Sequence, residues 1–115
     1  MINEALTRRI RDFFERVPKV EEKKMFSGIA FMVDGKLCVS VGNDRIMCRI
    51  DPALHDQTVK NNHVRTVIMK GKEYKGYIHV DEAGLKTKKE LDHWLSFALD
   101  FNPRAKSSVK KKTKK

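Results

Sequence analysis

The chain has 115 residues, 40% of them hydrophobic and 35% charged, with a net charge of +10. This length fits one domain that buries a single core without metal or disulfide staples, and the composition is that of a soluble protein rather than a disordered or membrane-spanning one. No apolar run approaches the roughly 20 residues of a spanning helix, and the opening MINEALTRRIRDFFERV interleaves charges where a signal peptide has a continuous apolar stretch, so a cytoplasmic location without membrane contact is expected.

The first element is an amphipathic helix. Leu6, Ile10, Phe13, Phe14 and Val17 form one stripe, with arginines and acids around the remaining circumference. Asn3 is placed to cap it, and Pro18 ends it after Val17 because proline disfavours helical geometry in its predecessor. KVEEKK, residues 19–24, reads as a charged connector.

From Met25 the pattern becomes β-like. Ile29 to Val33 is apolar, Asp34-Gly35 supplies a tight turn, and Lys36 to Val41 alternates Leu37, Val39 and Val41 against Cys38 and Ser40. Gly42-Asn43-Asp44 makes the next turn. In RIMCRI, Ile46, Cys48 and Ile50 share one face and Arg45, Met47 and Arg49 the other. Asp51-Pro52 opens a short helix expected to end near Asn61-Asn62. Apolar residues return at Val64 and Val67 to Met69, and YIHV places Ile78 and Val80 opposite Tyr77 and His79. Thr87 to Glu90 has the spacing of a capping box, opening a helix whose inward stripe is Leu91, Trp94, Leu95, Ala98 and Leu99. The expected fold is α+β, with a four- to six-stranded, mainly antiparallel sheet over residues 25–50 and 67–80, flanked by N- and C-terminal helices.

The charge is unevenly distributed. Residues 104–115 carry seven basic groups and no acid, leaving +3 on residues 1–103. The division is therefore a domain over 1–103 and a basic, disordered tail over 104–115, since Val109 is the only sizeable apolar residue there. Arg104, Lys106, Lys110, Lys111, Lys112, Lys114 and Lys115 are the candidates for weak, nonspecific nucleic-acid contact, because basic side chains alone neutralise phosphates without reading bases.

Little points to catalysis. The glycines lack the spacing of nucleotide-binding loops, and His55, His63, His79 and His93 show no metal-ligand spacing, so no metal or cofactor is expected. Cys38 and Cys48 are expected as reduced core or sheet-face thiols without a C-x-x-C motif. An alternative is a small enzyme in which Cys38 and His79, both assigned to the less apolar strand faces, form a nucleophile pair. The preferred candidate surface is Arg45, Met47, Arg49, Tyr77 and His79, a mixed aromatic and basic set of the kind on which single-stranded nucleic acid stacks, or one that a helix, a protein partner or a second copy of the chain covers.

Lys24-Met25-Phe26 followed by Gly28, the turn Asp34-Gly35-Lys36, and Lys75-Gly76-Tyr77 before Val80-Asp81 resemble the TfoX N-terminal domain family, including its small standalone TfoX/Sxy members. The resemblance extends from about Asn3 to Phe101, and Ser27 departs from the Phe-Gly-Gly form common in the family. It implies an α+β fold with an antiparallel sheet flanked by helices, similar to type III secretion chaperones. Full-length namesakes carry a further C-terminal domain and regulate natural competence genes, and this chain ends where that domain would begin. The resemblance supplies no catalytic residues; Met25, Phe26, Gly28, Gly35 and Gly76 are expected to set turns and packing. It implies a non-catalytic regulatory or protein-interaction module.

Overall fold

The computed structural model describes residues 3–25 and 28–105. Helix α1, Glu4–Phe14, begins where Asn3 Oδ1 accepts the backbone N–H of Leu6 at 2.9 Å, and it buries Leu6, Ile10 and Phe14. It is shorter than its apolar stripe: the N–H of Val17 donates to Phe14 O in a tight turn ahead of Pro18, and Phe13 and Val17 lie half-buried at the margin of the core.

Six strands follow: β1 Val20–Met25, β2 Gly28–Val33, β3 Lys36–Val41, β4 Arg45–Arg49, β5 Val64–Met69 and β6 Lys72–Asp81. They form one sheet in the order β1-β2-β3-β4-β6-β5, every neighbouring pair antiparallel. The segment expected to be a connector is strand β1, paired with β2 from Val20↔Val33 to Met25↔Gly28. Its charges hid it, because Glu21 to Lys24 are exposed on an outer strand. Charged residues suit such an edge, where an apolar one would invite unwanted pairing.

The alternation expected for β3 is broken by a bulge. The β2–β3 register passes from Phe31↔Val39 to Met32↔Leu37, so Cys38 is an extra residue. Cys38 joins Val39 and Val41 in the main core, while Leu37 falls in a second cluster with Ala30, Met32, Met47 and Val67. One inserted residue reverses the side-chain phase beyond it, which is why simple alternation misplaced both.

The main core lies between the sheet and the helices. Helix α3, Lys88–Phe101, opens with the expected capping box: Thr87 Oγ1 accepts the Glu90 N–H at 3.0 Å, and Glu90 Oε1 accepts the Thr87 N–H at 3.1 Å. It buries Leu91, Trp94, Leu95 and Ala98, leaving Leu99 half-buried. At its end Asn102 Nδ2 donates to Val33 O at 3.2 Å and Lys36 Nζ donates to Asn102 O at 3.1 Å, fastening the helix to the β2–β3 turn. Arg104, grouped with the tail by composition, is held by Asp51 and Asp100 at 3.1 and 3.6 Å and lies over the Phe101 ring, and Ala105 is buried.

Between β4 and β5 the chain makes a 3-10 turn over Pro52–Leu54 and a single helical turn, α2, His55–Thr58. Asp51 caps the 3-10 turn through Ala53 as expected, yet the helix stops short of Asn61-Asn62: Thr58 Oγ1 donates back to Leu54 O, and both the N–H and the Nδ2 of Asn61 donate to Thr58 O, the carbonyl that a further turn would use. The β5–β6 register then jumps from Thr66↔Ile78 to Val67↔Tyr74, leaving Lys75, Gly76 and Tyr77 without a β5 partner, while Tyr77 still pairs with Arg49 of β4. Beyond this interruption Val67 belongs to the second cluster, which contains no helical residue. Helices α1 and α3 bury their apolar residues in the main core, on the other side of the sheet. No helix among the described residues is long and apolar enough to cross a membrane.

Candidate functional site

Strand pairing brings the five candidate surface residues onto one face. Met47 lies opposite His79, Arg49 opposite Tyr77, and Arg45 opposite Asp81. This is the face of the second cluster, away from α1 and α3. Met47 is buried, Arg49, Tyr77 and His79 are half-buried, and Arg45 is exposed.

The guanidinium of Arg49 lies over the Tyr77 ring, 5.5 Å from its centroid, and Tyr74 meets Tyr77 edge-on at 6.4 Å. Arg49 Nη1 is buried and has no hydrogen-bond partner among the described residues. The ring face compensates part of the charge, but a desolvated N–H without an acceptor costs on the order of 1–3 kcal/mol. An acceptor brought to this face would recover that cost.

Alongside, a cleft of about 340 Å3 opens between the β5 strand end and the β3–β4 turn. Ser40, Arg45 and His79 line it together with Met47, Val67, Ile68 and Met69. Burial, with the positive charges of Arg45 and Arg65 in support, pushes His79 down to about 4, so its imidazole is neutral at physiological pH. Arg65 is itself paired with Asp81. Ile68 also lines the cleft and is 60% exposed.

Cys38 and His79 do not form a pair. The bulge turns Cys38 into the helix-covered core, whereas His79 faces the opposite side beside Met47. Burial pushes the Cys38 thiol up to about 12, and Cys48 is raised as well by burial and by Cys38 nearby, with Sγ 4.0 Å from Trp94 O. Both are free and buried, the opposite of what an activated nucleophile requires.

The residues expected to set turns divide as follows. Asp34 and Gly35 form the β2–β3 turn. Gly28 packs its α-carbon so closely against β3 that an added Cβ would stand 2.0 Å from Val41 O. Gly76 has φ +92° in the β6 interruption. Met25 pairs with Gly28 through its backbone, while Phe26 lies outside the described residues. So do Lys106, Lys110, Lys111, Lys112, Lys114 and Lys115.

His55 is a residue whose role sequence reasoning missed. It is 1% exposed, and its Nδ1 accepts the Gly76 N–H at 2.9 Å, which places the proton on Nε2 to donate to Thr66 Oγ1 at 3.1 Å. A glycine isolated in a strand pattern was the available signal for the interruption; nothing local indicated which side chain would receive its N–H. Among the described residues no group of three or more His, Cys, Asp or Glu side chains is placed to hold a metal ion.

A single antiparallel sheet covered by helices on one side, with a mixed cationic, aromatic and apolar surface on the other, defines an open-faced α+β domain. Residues 12–102 match the model of the TfoX N-terminal domain, and the chain belongs to that family. No curated protein and no solved structure gives a significant match.

Proposed function

We propose that this chain is a non-catalytic regulatory or protein-interaction module, acting in the cytoplasm, whose contact surface is the open face of the sheet carrying Arg45, Met47, Arg49, Tyr77 and His79. The observation that carries this reading is the buried, unpartnered Nη1 of Arg49 stacked beside Tyr77. Evolution tolerates such a cost where it is relieved on binding, and arginine with aromatic neighbours is the combination that dominates interface energetics. Membership of the TfoX N-terminal domain family is compatible with a regulatory role and assigns no chemistry to the chain.

The partner in this reading is a protein segment presenting a carboxylate to Arg49, and a second copy of the chain is one source of it. Arg49→Met removes the charge while keeping an apolar stem of similar length. Chemical cross-linking in cells, followed by mass spectrometry, should recover a discrete adduct of the wild-type chain that is lost in this variant. An unchanged adduct pattern would exclude the face, and sedimentation velocity of the purified chain distinguishes a homodimer from a heterologous complex.

A second reading rests on the seven basic residues between Arg104 and Lys115. They support weak, salt-sensitive, sequence-independent attachment to nucleic acid. Arg104 is engaged with Asp51 and Asp100, so its share of that contact is small.

A further inference from the structure

We infer that the cleft between β5 and the β3–β4 turn is a binding site for a small monocarboxylate with an apolar body, sharing Arg45, Met47 and His79 with the proposed protein-contact face but not Arg49 or Tyr77. The volume, about 340 Å3, lies at the small end of the range for ligand pockets. Its chemistry is divided as an amphipathic anion requires. One wall is Met47, Val67, Ile68 and Met69; the other carries the Arg45 guanidinium, the Ser40 hydroxyl and the His79 imidazole. Arg45 forms no ion pair among the described residues, unlike Arg65 beside it, which is held by Asp81. The guanidinium is therefore available as a planar two-pronged donor, the geometry that matches a carboxylate.

Donor geometry, rather than net charge, sets the ligand's charge. Asp44 also lines the cleft, next to Arg45, so a dianion such as a phosphate monoester meets one cation and one carboxylate, whereas a monoanion is balanced by the guanidinium with less repulsion. A ligand amine set against Arg45 is repelled by the guanidinium, and Asp44 at the turn is the one carboxylate among the described residues of the cleft lining that it could meet instead. The neutral imidazole of His79 adds a hydrogen-bond donor or acceptor without a second positive charge. The apolar wall supplies the remaining affinity: Ile68, 60% exposed, loses water contact when an alkyl or aryl chain lies against it. Arg45, Ile68 and His79 also border an adjoining cleft of about 550 Å3, giving a longer chain somewhere to continue.

The test is an amide NMR titration of the full chain with hexanoate, alongside hexan-1-ol and hexylamine. Hexanoate should produce saturable shifts centred on Arg45, Met47, Ile68, Met69 and His79, with hexanol weaker and hexylamine weaker still. Arg45→Met, a change at an exposed side chain, should weaken hexanoate by at least about tenfold while leaving hexanol unchanged, as loss of one charge-assisted contact implies. Ile68→Gln should weaken hexanoate and hexanol together. The proposal fails if hexanoate gives no saturable shifts, if they map to another part of the domain, if hexylamine binds as well, or if Arg45→Met leaves the hexanoate affinity intact.

Discussion

His55 Nδ1 accepts the backbone N–H of Gly76 at 2.9 Å and thereby ties the short α2 turn to the interruption in β6. The glycine carbonyl is used too, accepting the Ile50 N–H at 2.8 Å, so both backbone groups of a residue outside the ladder are satisfied. This junction determines where β6 turns and hence how Tyr77 and Val67 are presented to the open face. His55→Ala leaves a buried N–H without an acceptor and a void, and should lower the unfolding free energy by about 2–4 kcal/mol in urea titration.

Acid should act on the same region. Burial lowers the pKa of both His55 and His79, the latter to about 4 from an ordinary value of 6.5. The folded state thus disfavours the protonated imidazole more than the unfolded chain does, so this contribution is complete above pH 6.5 and is lost as pH falls from there towards 4. Glu22, Asp56 and Glu90 are shifted below the ordinary carboxylate range by Arg11, Lys75 and the Thr87 cap, and their contribution disappears only at more acidic pH. Chemical denaturation at a series of pH values should show stability declining already between pH 6.5 and pH 4, and His79→Gln should flatten part of that decline. A flat profile down to pH 4 would contradict neutral, desolvated imidazoles.

Two glycine substitutions should separate close approach from turn geometry. Gly28→Ala pushes a methyl to 2.0 Å from Val41 O, backbone that cannot yield without parting β2 from β3. Gly76→Ala combines φ +92° with contacts of 3.1 Å to Pro52 Cγ and 3.2 Å to Ile50 O. Thermal unfolding should show Gly28→Ala as the more severe, failing to fold or losing more than about 4 kcal/mol, and Gly76→Ala losing about 1–3 kcal/mol. The reverse order would show that the β2–β3 contact relaxes.

The thiols should be inert in the native state. With Cys38 pushed up to about 12 and Cys48 also raised, an aromatic disulfide reagent should label neither at neutral pH until denaturant is added, when both react. Rapid native labelling would mean that the core opens at the β3 bulge.

Arg49→Met should raise stability by about 1 kcal/mol, because it removes a buried guanidinium N–H that nothing accepts. A stabilising change that abolishes partner contact is the signature of a residue kept for binding rather than folding. Loss of stability instead would show that the stack on Tyr77 outweighs the unsatisfied group.

Much of this fold was legible because local and tertiary preferences agree. The helical stripe at Leu6, Ile10 and Phe14, the cap at Thr87 and Glu90, and the split of Ile46 and Cys48 from Met47 and Arg49 each express a period that the packed structure uses directly. The two strand misreadings arise where the sequence period and the packing disagree. β1 is a strand only by its pairing with β2, so Glu21 to Lys24 carry no alternation, and the β3 bulge changes phase at Cys38 without any glycine or proline to mark it. The face carrying Arg45, Met47, Arg49, Tyr77 and His79 followed from alternation within β4 and β6. The walls added by Val67, Ile68 and Met69 did not, because they depend on the interrupted β5–β6 register.

Site-specific photo-cross-linking most directly tests whether the open face is the contact surface. A benzophenone amino acid replacing Tyr77 on that face is compared with the same probe at exposed Ser96 on α3, each irradiated in cells expressing the full chain. A discrete adduct from position 77, whether with a second copy or another protein, and none from position 96 is the expected result. Adducts formed at position 96 alone, or equally at both, would contradict it.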